Sequence, residues 1–318
     1  MIFNKTLPHS SYKNYYPEGW DWDRINECCD NPPEAVLDRQ DFWHPEFAPF
    51  MCESLDDFNT FLGYEIAKEI KTARDNNQKL ILILPVGPMG MYRWTVFFLK
   101  DWNVCCDHVY GFNMDEWSDE VGNTLPASEP AAFQNAMEGA LYGPLSEAGL
   151  GVPENQRFFA TKDVLPTYAE KIAELKAEGA RLVTVYGIGR VFHIAFWEPQ
   201  YAEDYATDEE WKKATHRVGA VLHPLTVEQN ALTSFRSRTP LVSCCANTVG
   251  PGLFLQSDRC IGGADGYFGR GMQWQGQSLW VTLRHGPTRW ITSSFMPTMP
   301  GKLFFLKELA GPLVADTN

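Results

Sequence analysis

Apolar positions in this chain follow two rhythms, and the change from one to the other marks out its elements. Residues 54–73 carry Leu55, Phe58, Phe61, Leu62, Ile66 and Ile70 near helical spacing, behind a Ser54 whose hydroxyl can cap the first turn. That spacing predicts an amphipathic helix lying on a sheet. Asn76 and Asn77 break it. KLILIL over 79–84 is then too short for a helix and has no polar alternation, which predicts a strand covered on both faces. VYGFNMDEW over 109–117 is a second short apolar run and stops in two carboxylates, Asp115 and Glu116. In RLVTVYGIG over 181–189, Leu182, Val183, Val185 and Ile188 read as a third buried strand, ended by Gly187 and Gly189.

Helical patterns fall between and after these runs: one beginning near Met91, one over 128–142, one over 166–178 with Tyr168, Ile172 and Leu175 on one face, and one over 226–235. A further strand is expected over 241–246. The alternation predicts an α/β fold: a Rossmann-like, mostly parallel sheet with helices on both faces and right-handed crossovers. Such sheets bind ligands beyond the carboxyl ends of their strands, where glycines let the backbone come close. Gly87 and Gly90 in the PVGPMG loop, Gly187 and Gly189, and the acids after Asn113 are therefore candidate site residues, and His193 and Glu198 lie just beyond Gly189.

Two stretches, FNMDEW over 112–117 and GIGRVFHIAFWEP over 187–199, resemble the paired signatures of the glucosamine-6-phosphate deaminase/isomerase family, which is related to 6-phosphogluconolactonase and ribose-5-phosphate isomerase. The usual family forms are FNMDEY and GxGxDGHIAFNEP. The resemblance runs loosely from Asp56 to Leu309. It implies a sugar aldose–ketose isomerase or deaminase that needs no cofactor and no metal, with Asp115 as the proton-transfer base, His193 as the ring-opening acid, and Glu198 orienting that histidine. Glu116 joins them as a second acid of the motif. A histidine suits ring opening because it titrates near neutrality, and a carboxylate suits proton transfer when burial raises its pKa. Each also has an ordinary structural reading, Asp115 as a turn acid and His193 as a satisfied core residue.

Departures from the family pattern carry information as well. Family members place a longer Gly-Gly-Thr-Pro loop where this chain has LPVGPMG, and they use its backbone N–H groups on the sugar phosphate; Pro88 removes one such donor. Arg93 is a candidate substitute. The family aspartate two residues before the histidine is Val191 here, the glycine after it is Phe192, Arg190 stands where asparagine is common, and Trp197 replaces an asparagine. Arg190 and Trp197 are thus candidate substrate contacts, with Trp197, Phe192 and Tyr92 forming an aromatic wall. SLWVTLR over 278–284 and the run 290–295 resemble the family's last sheet strands. The lysine that contacts phosphate in that region is missing, which leaves Arg270 as the nearest cation. An altered sugar substrate follows, with a lactonase-like hydrolase or an inactive sugar-binding regulator on the same scaffold as alternatives.

Composition narrows the partners. Lys and Arg number 27 against 40 Asp and Glu, a formal charge of −13, so nucleic acid and anionic membrane are poor partners and a small sugar is the expected one. The longest aliphatic run is far short of a spanning helix and MIFNKTLPHS has no apolar signal core, from which a cytoplasmic protein is expected. The eight cysteines lack metal-ligand spacing, and the seven histidines are scattered. Residues 1–50 are rich in Tyr, Trp and Pro without a sustained period and are expected to form an arm over a single domain at 51–318. The arm either packs on that domain, caps its site or embraces a second copy, and family likeness implies a homo-oligomer.

Overall fold

A computed structural model describes residues 3–314, so the outermost residues of the expected arm and domain lie outside the described residues. The strands in chain order are β1 (Phe47–Cys52), β2 (Leu80–Leu84), β3 (Val109–Asn113), β4 (Asp115–Ser118), β5 (Arg157–Phe158), β6 (Arg181–Gly187), β7 (His216–Val221), β8 (Cys245–Val249), β9 (Arg259–Ala264), β10 (Tyr267–Gly269), β11 (Met272–Gln273) and β12 (Gly301–Leu306). Seven of them form one sheet in the order β1-β12-β9-β6-β2-β3-β5. Every pairing in that sheet is parallel. Strands β4, β8 and β7 make a small antiparallel sheet, and β10 with β11 makes a hairpin.

The helices largely follow the apolar periodicity. Helix α1 (Trp22–Cys29) lies in the arm; α2 (Leu55–Asp75) starts at the Ser54 cap, whose side chain accepts from the Asp57 N–H; α3 is Gly90–Asp101. The helix expected over 128–142 begins later, as α4 (Phe133–Met137), and passes through a π-helical turn (Glu138–Tyr142) into α5 (Gly143–Glu147). Then come α6 (Tyr168–Ala177), α7 (Asp208–Trp211), α8 (Pro224–Ser234), α9 (Pro251–Phe254) and α10 (Gly276–Arg284).

Two expectations need correcting. Residues 278–284 belong to helix α10, and 290–295 enter a 3-10 segment (Thr292–Thr298), not strands. Helix α10 is buried nearly all round, including Leu279, Trp280, Val281 and Leu283, so it has no polar face to betray a helical period. The last sheet strands are β9 and β12 instead. The strand expected over 241–246 begins only at Cys245, because residues 239–241 form a 3-10 turn that leads into it.

Strand order places the site. The order in which strands are added reverses between β2 and β6: from β2 the sheet grows through β3 to β5 on one side, and on the other it runs from β6 to β9, β12 and β1, all strands staying parallel. The crevice at such a reversal is where ligands sit in open α/β sheets. Strand β2 is buried along its whole length, so the sheet is covered on both faces there. At the opposite ends of the strands, Glu65 and Glu69 of α2 take Arg181, Arg259 and Lys302, which begin or nearly begin β6, β9 and β12, and so hold those strands in register away from the crevice.

The arm is tied to the body. Strand β1 begins at Phe47, inside the expected arm, and pairs with the last strand from Phe47↔Gly301 to Cys52↔Leu306. Upstream, Trp20 donates from Nε1 to the Trp290 carbonyl at 2.7 Å and is buried with Ile25, Cys28, Val191, Phe192, Val281 and Ile291. No helix among the described residues is long and apolar enough to cross a membrane.

Candidate active site

The carboxyl ends of β2 and β6 open into a cavity of about 400 Å³. Gly87 and Gly187 come against each other at its floor: a Cβ on Gly187 would sit 3.2 Å from the Gly87 carbonyl oxygen. A larger side chain there would push the two strand ends apart. Gly87 itself has φ +118°, a conformation that favours glycine. Asp115 and His193 line the same cavity from two other directions.

Asp115 reaches it because the chain leaves the main sheet at Met114 and enters β4, where Asp115 is paired with Thr248 of β8. Its Oδ1 accepts the Phe196 N–H at 2.9 Å, a donor shared with the Thr248 hydroxyl oxygen at 2.9 Å. Burial pushes the Asp115 carboxyl up to about 7; the Thr248 hydroxyl, the Phe196 amide and His193 pull less strongly the other way. At neutral pH this carboxyl can take up or release a proton, which is the property a proton carrier needs.

His193 lies on a tight loop after β6. The Gly189 N–H donates to the His193 carbonyl at 2.9 Å, the Phe192 N–H donates to the Gly189 carbonyl at 3.0 Å, and Phe192 and Ala195 adopt φ +64° and +55°. Phe192 is held in that conformation by burial against Trp20, ring centroids 4.9 Å apart. The imidazole folds back over Gly189, where an added Cβ would meet Nε2 at 1.9 Å. Gly189→Ala is therefore expected to displace the ring and lower turnover by about 10²-fold, the scale set by misplacing a reacting group. A steady-state comparison of the purified variant with wild type checks it; unchanged kcat would show that the ring position is immaterial.

On its other side His193 is anchored. Nδ1 lies 3.0 Å from Glu198 Oε2 and 3.3 Å from the Thr226 hydroxyl at the start of α8. Glu198 is fully buried, and its Oε1 accepts the His223 N–H at 3.3 Å. Val191, standing where the family has aspartate, packs instead into the apolar cluster with Trp20 and Phe192. The second partner of His193 is thus Thr226, a residue with no distinguishing sequence context.

Other expected contacts lie elsewhere. Glu116 points away from the cavity: it accepts N–H groups from Trp117, Phe133 and Gln134 at 2.8–2.9 Å and so caps the start of α4. Gly90 opens α3 with its Cβ direction filled by the Asn59 amide. Arg93 is exposed on α3, over the Trp94 ring. Arg190 and Arg270 line a separate, larger cleft of about 1220 Å³ beside the arm, because the loop after Gly189 turns one outward and the β10–β11 turn exposes the other. Trp197 is buried with Tyr201, Trp211 and Phe295, and Tyr92 is buried with its hydroxyl on the Pro85 carbonyl at 2.6 Å, so the expected aromatic wall does not form. The rings that do line the cavity include Phe133, Phe196, Phe268 and Trp274.

One cavity residue was not foreseen. Asp265 follows the last residue of β9, and the apolar run CIGGA that ends in Asp-Gly repeats the signal seen at Asp115.

No family model matches the chain. It is 30% identical over 215 residues to the glucosamine-6-phosphate deaminase of Clostridioides difficile, a match covering 66% of this chain and 76% of that protein. It is 32% identical over 139 residues to the enzyme of the same name from Parabacteroides distasonis, 42% of this chain and 48% of that one. The Caenorhabditis elegans glucosamine-6-phosphate deaminase is 28% identical over 151 residues, 46% and 53%. The chain spans about half the length of these last two relatives. Among solved structures, a monomeric glucosamine-6-phosphate deaminase superposes with a TM-score of 0.65 at 19% identity, over 82% of this chain and 98% of that one. The 6-phosphogluconolactonase of Trypanosoma cruzi follows the same fold, with a TM-score of 0.57 at 19% identity over 87% and 100%.

Proposed function

The chain belongs to the glucosamine-6-phosphate deaminase family, and from that premise we infer that its cavity opens a sugar ring and moves a proton between C2 and C1 of the open chain. His193 gives a proton to the ring oxygen as the ring opens. Asp115, ionised, takes the proton from C2 and returns it to C1. A simple aldose then becomes a ketose; a 2-amino sugar becomes an imine at C2, which water hydrolyses to the ketose and ammonia. Glu198 and Thr226 act through His193 by holding its Nδ1 side. The observation that carries this reading is a buried carboxyl pushed up to about 7 in the same cavity as a histidine anchored by a buried glutamate.

An end-point assay on amino sugars and simple sugars, each with and without a 6-phosphate, is expected to yield ketose, with ammonia in equal amount from the amino sugars. The likeness to the Trypanosoma cruzi lactonase supplies the competing outcome. Acid released from a sugar lactone with no ketose from any sugar would replace the isomerase by a hydrolase in which His193 activates water. Binding of sugars with no turnover at all would leave a sugar-binding protein.

A further inference from the structure

Besides Asp115 and His193, Asp265 lines the cavity, three strands along the sheet from the β3 end that leads to Asp115. Asp265 lies at the carboxyl end of β9, beside β6 in the sheet, and the loop carrying it approaches residues 85–89, since a Cβ on neighbouring Gly263 would meet Pro88 at 3.0 Å. The carboxylate has no ion pair, and no other residue's donor reaches it among the described residues, yet it is partly buried and lines the cavity. Gln275, which also lines the cavity, is engaged elsewhere: Oε1 accepts the Gly266 N–H at 2.8 Å and Nε2 donates to the Ile188 carbonyl at 2.5 Å. Gln275 therefore fixes the Asp265 loop to the end of β6 and leaves the acid facing the cavity.

No lysine or arginine among the described residues lines this cavity. A phosphate dianion entering it would meet the carboxyl groups of Asp115 and Asp265, while the His193 ring is already engaged with Glu198. A sugar hydroxyl has the opposite preference, because it donates to a carboxylate and gains a charge-assisted hydrogen bond. We propose that Asp265 is a specificity-determining residue that accepts hydrogen bonds from hydroxyls at the end of the sugar remote from Asp115, so that the site takes an unphosphorylated sugar and rejects its phosphate ester. The proposal rests on the ring-opening reading for which end of the sugar lies where. Burial raises the Asp265 carboxyl to about 6, which still leaves it ionised at pH 7.5. Rejection by a misplaced like charge is a recognised way to separate two ligands of similar shape.

Titration calorimetry of the full chain with glucose, glucosamine and their 6-phosphates at pH 7.5 tests it. Wild type is expected to bind each free sugar at least about tenfold more tightly than its ester, and Asp265→Asn, which keeps the shape and removes the charge, to shrink that ratio severalfold. Equal or tighter binding of the esters, no binding of any of the four, or a ratio unmoved in Asp265→Asn overturns the assignment. Failure of the ring-opening reading looks different: selective binding of the free sugars without ketose formation removes the isomerase and keeps the selectivity. Turnover of a tightly bound 6-phosphate does the reverse.

Discussion

Asp115→Asn is expected to cut turnover by about 10³-fold or more, the upper range for removing a general base, while making the protein more stable above pH 7. Both effects have one cause. Burial lifts this carboxyl from 3.8 to about 7, so keeping it charged costs folding free energy. Below pH 3.8 folded and unfolded chains both hold the proton and the cost is nil. Between 3.8 and about 7 the folded state keeps a proton that the unfolded state releases, and stability falls as pH rises; above about 7 the full cost is present. At roughly 1.4 kcal/mol per pH unit that cost is on the order of 4 kcal/mol. Asparagine carries no charge and still offers Oδ1 to the Phe196 N–H, so it should recover much of this sum. Urea unfolding of both proteins at pH 5 and pH 8 measures it. The gain should be small at pH 5 and larger at pH 8; equal stability at pH 8, or wild-type turnover, would refute the assignment. The same ionisation predicts that wild-type kcat/KM rises with pH through about 7, because a base must start deprotonated.

Glu198→Ala should be the most damaging single change to the site's framework. The carboxylate is fully buried, and truncation leaves a cavity, strips His193 Nδ1 to a single 3.3 Å contact with Thr226, and orphans the His223 N–H. Loss of about 3 kcal/mol or more of stability is expected from the cavity and the unsatisfied donor together. Turnover should fall on the order of 10²–10⁴-fold. Because such a variant can lose activity merely by loosening the fold, Glu198→Gln is the informative partner. It keeps an oxygen that can accept from Nδ1 and fills the same space, but has no charge. On the proposed mechanism Glu198 acts through His193, so the glutamine should restore stability and KM while kcat remains depressed. A glutamine variant with full kcat would mean that only the hydrogen bond matters; an alanine variant with wild-type kcat would remove Glu198 from the machinery.

How far the sequence reads through to these residues differs from element to element. Strands β2, β3 and β6 are continuous apolar runs that stop in glycine or acid, and a strand buried on both faces has no other way to look. Their ends are where Asp115, Gly87, Gly187 and Gly189 stand, so this part of the cavity was legible. His193 and Glu198 came with their motif, five residues apart on one loop. Asp265 ends an equally readable run, but the glycine-rich stretch after it masked the strand. Thr226 could not be read, since what makes it a partner of His193 is the packing of α8 against a loop more than thirty residues away in sequence.

By itself, then, the sequence determined the parallel α/β sheet, the helices with a clear polar face, and the local groups whose chemistry suits ring opening, because each of these is written within one element or one loop. Tertiary structure decided which of them share a cavity. It turned Arg190 and Arg270 to another cleft, buried Trp197 and Tyr92, spent Glu116 on a helix cap, and set Trp20 of the arm against the Phe192 turn that carries His193. It also made α10 a helix where a short apolar run suggested a strand. The physical reason is the same in each case: which way a side chain faces is fixed by strand order and by long-range burial, and neither has a period that a linear chain displays.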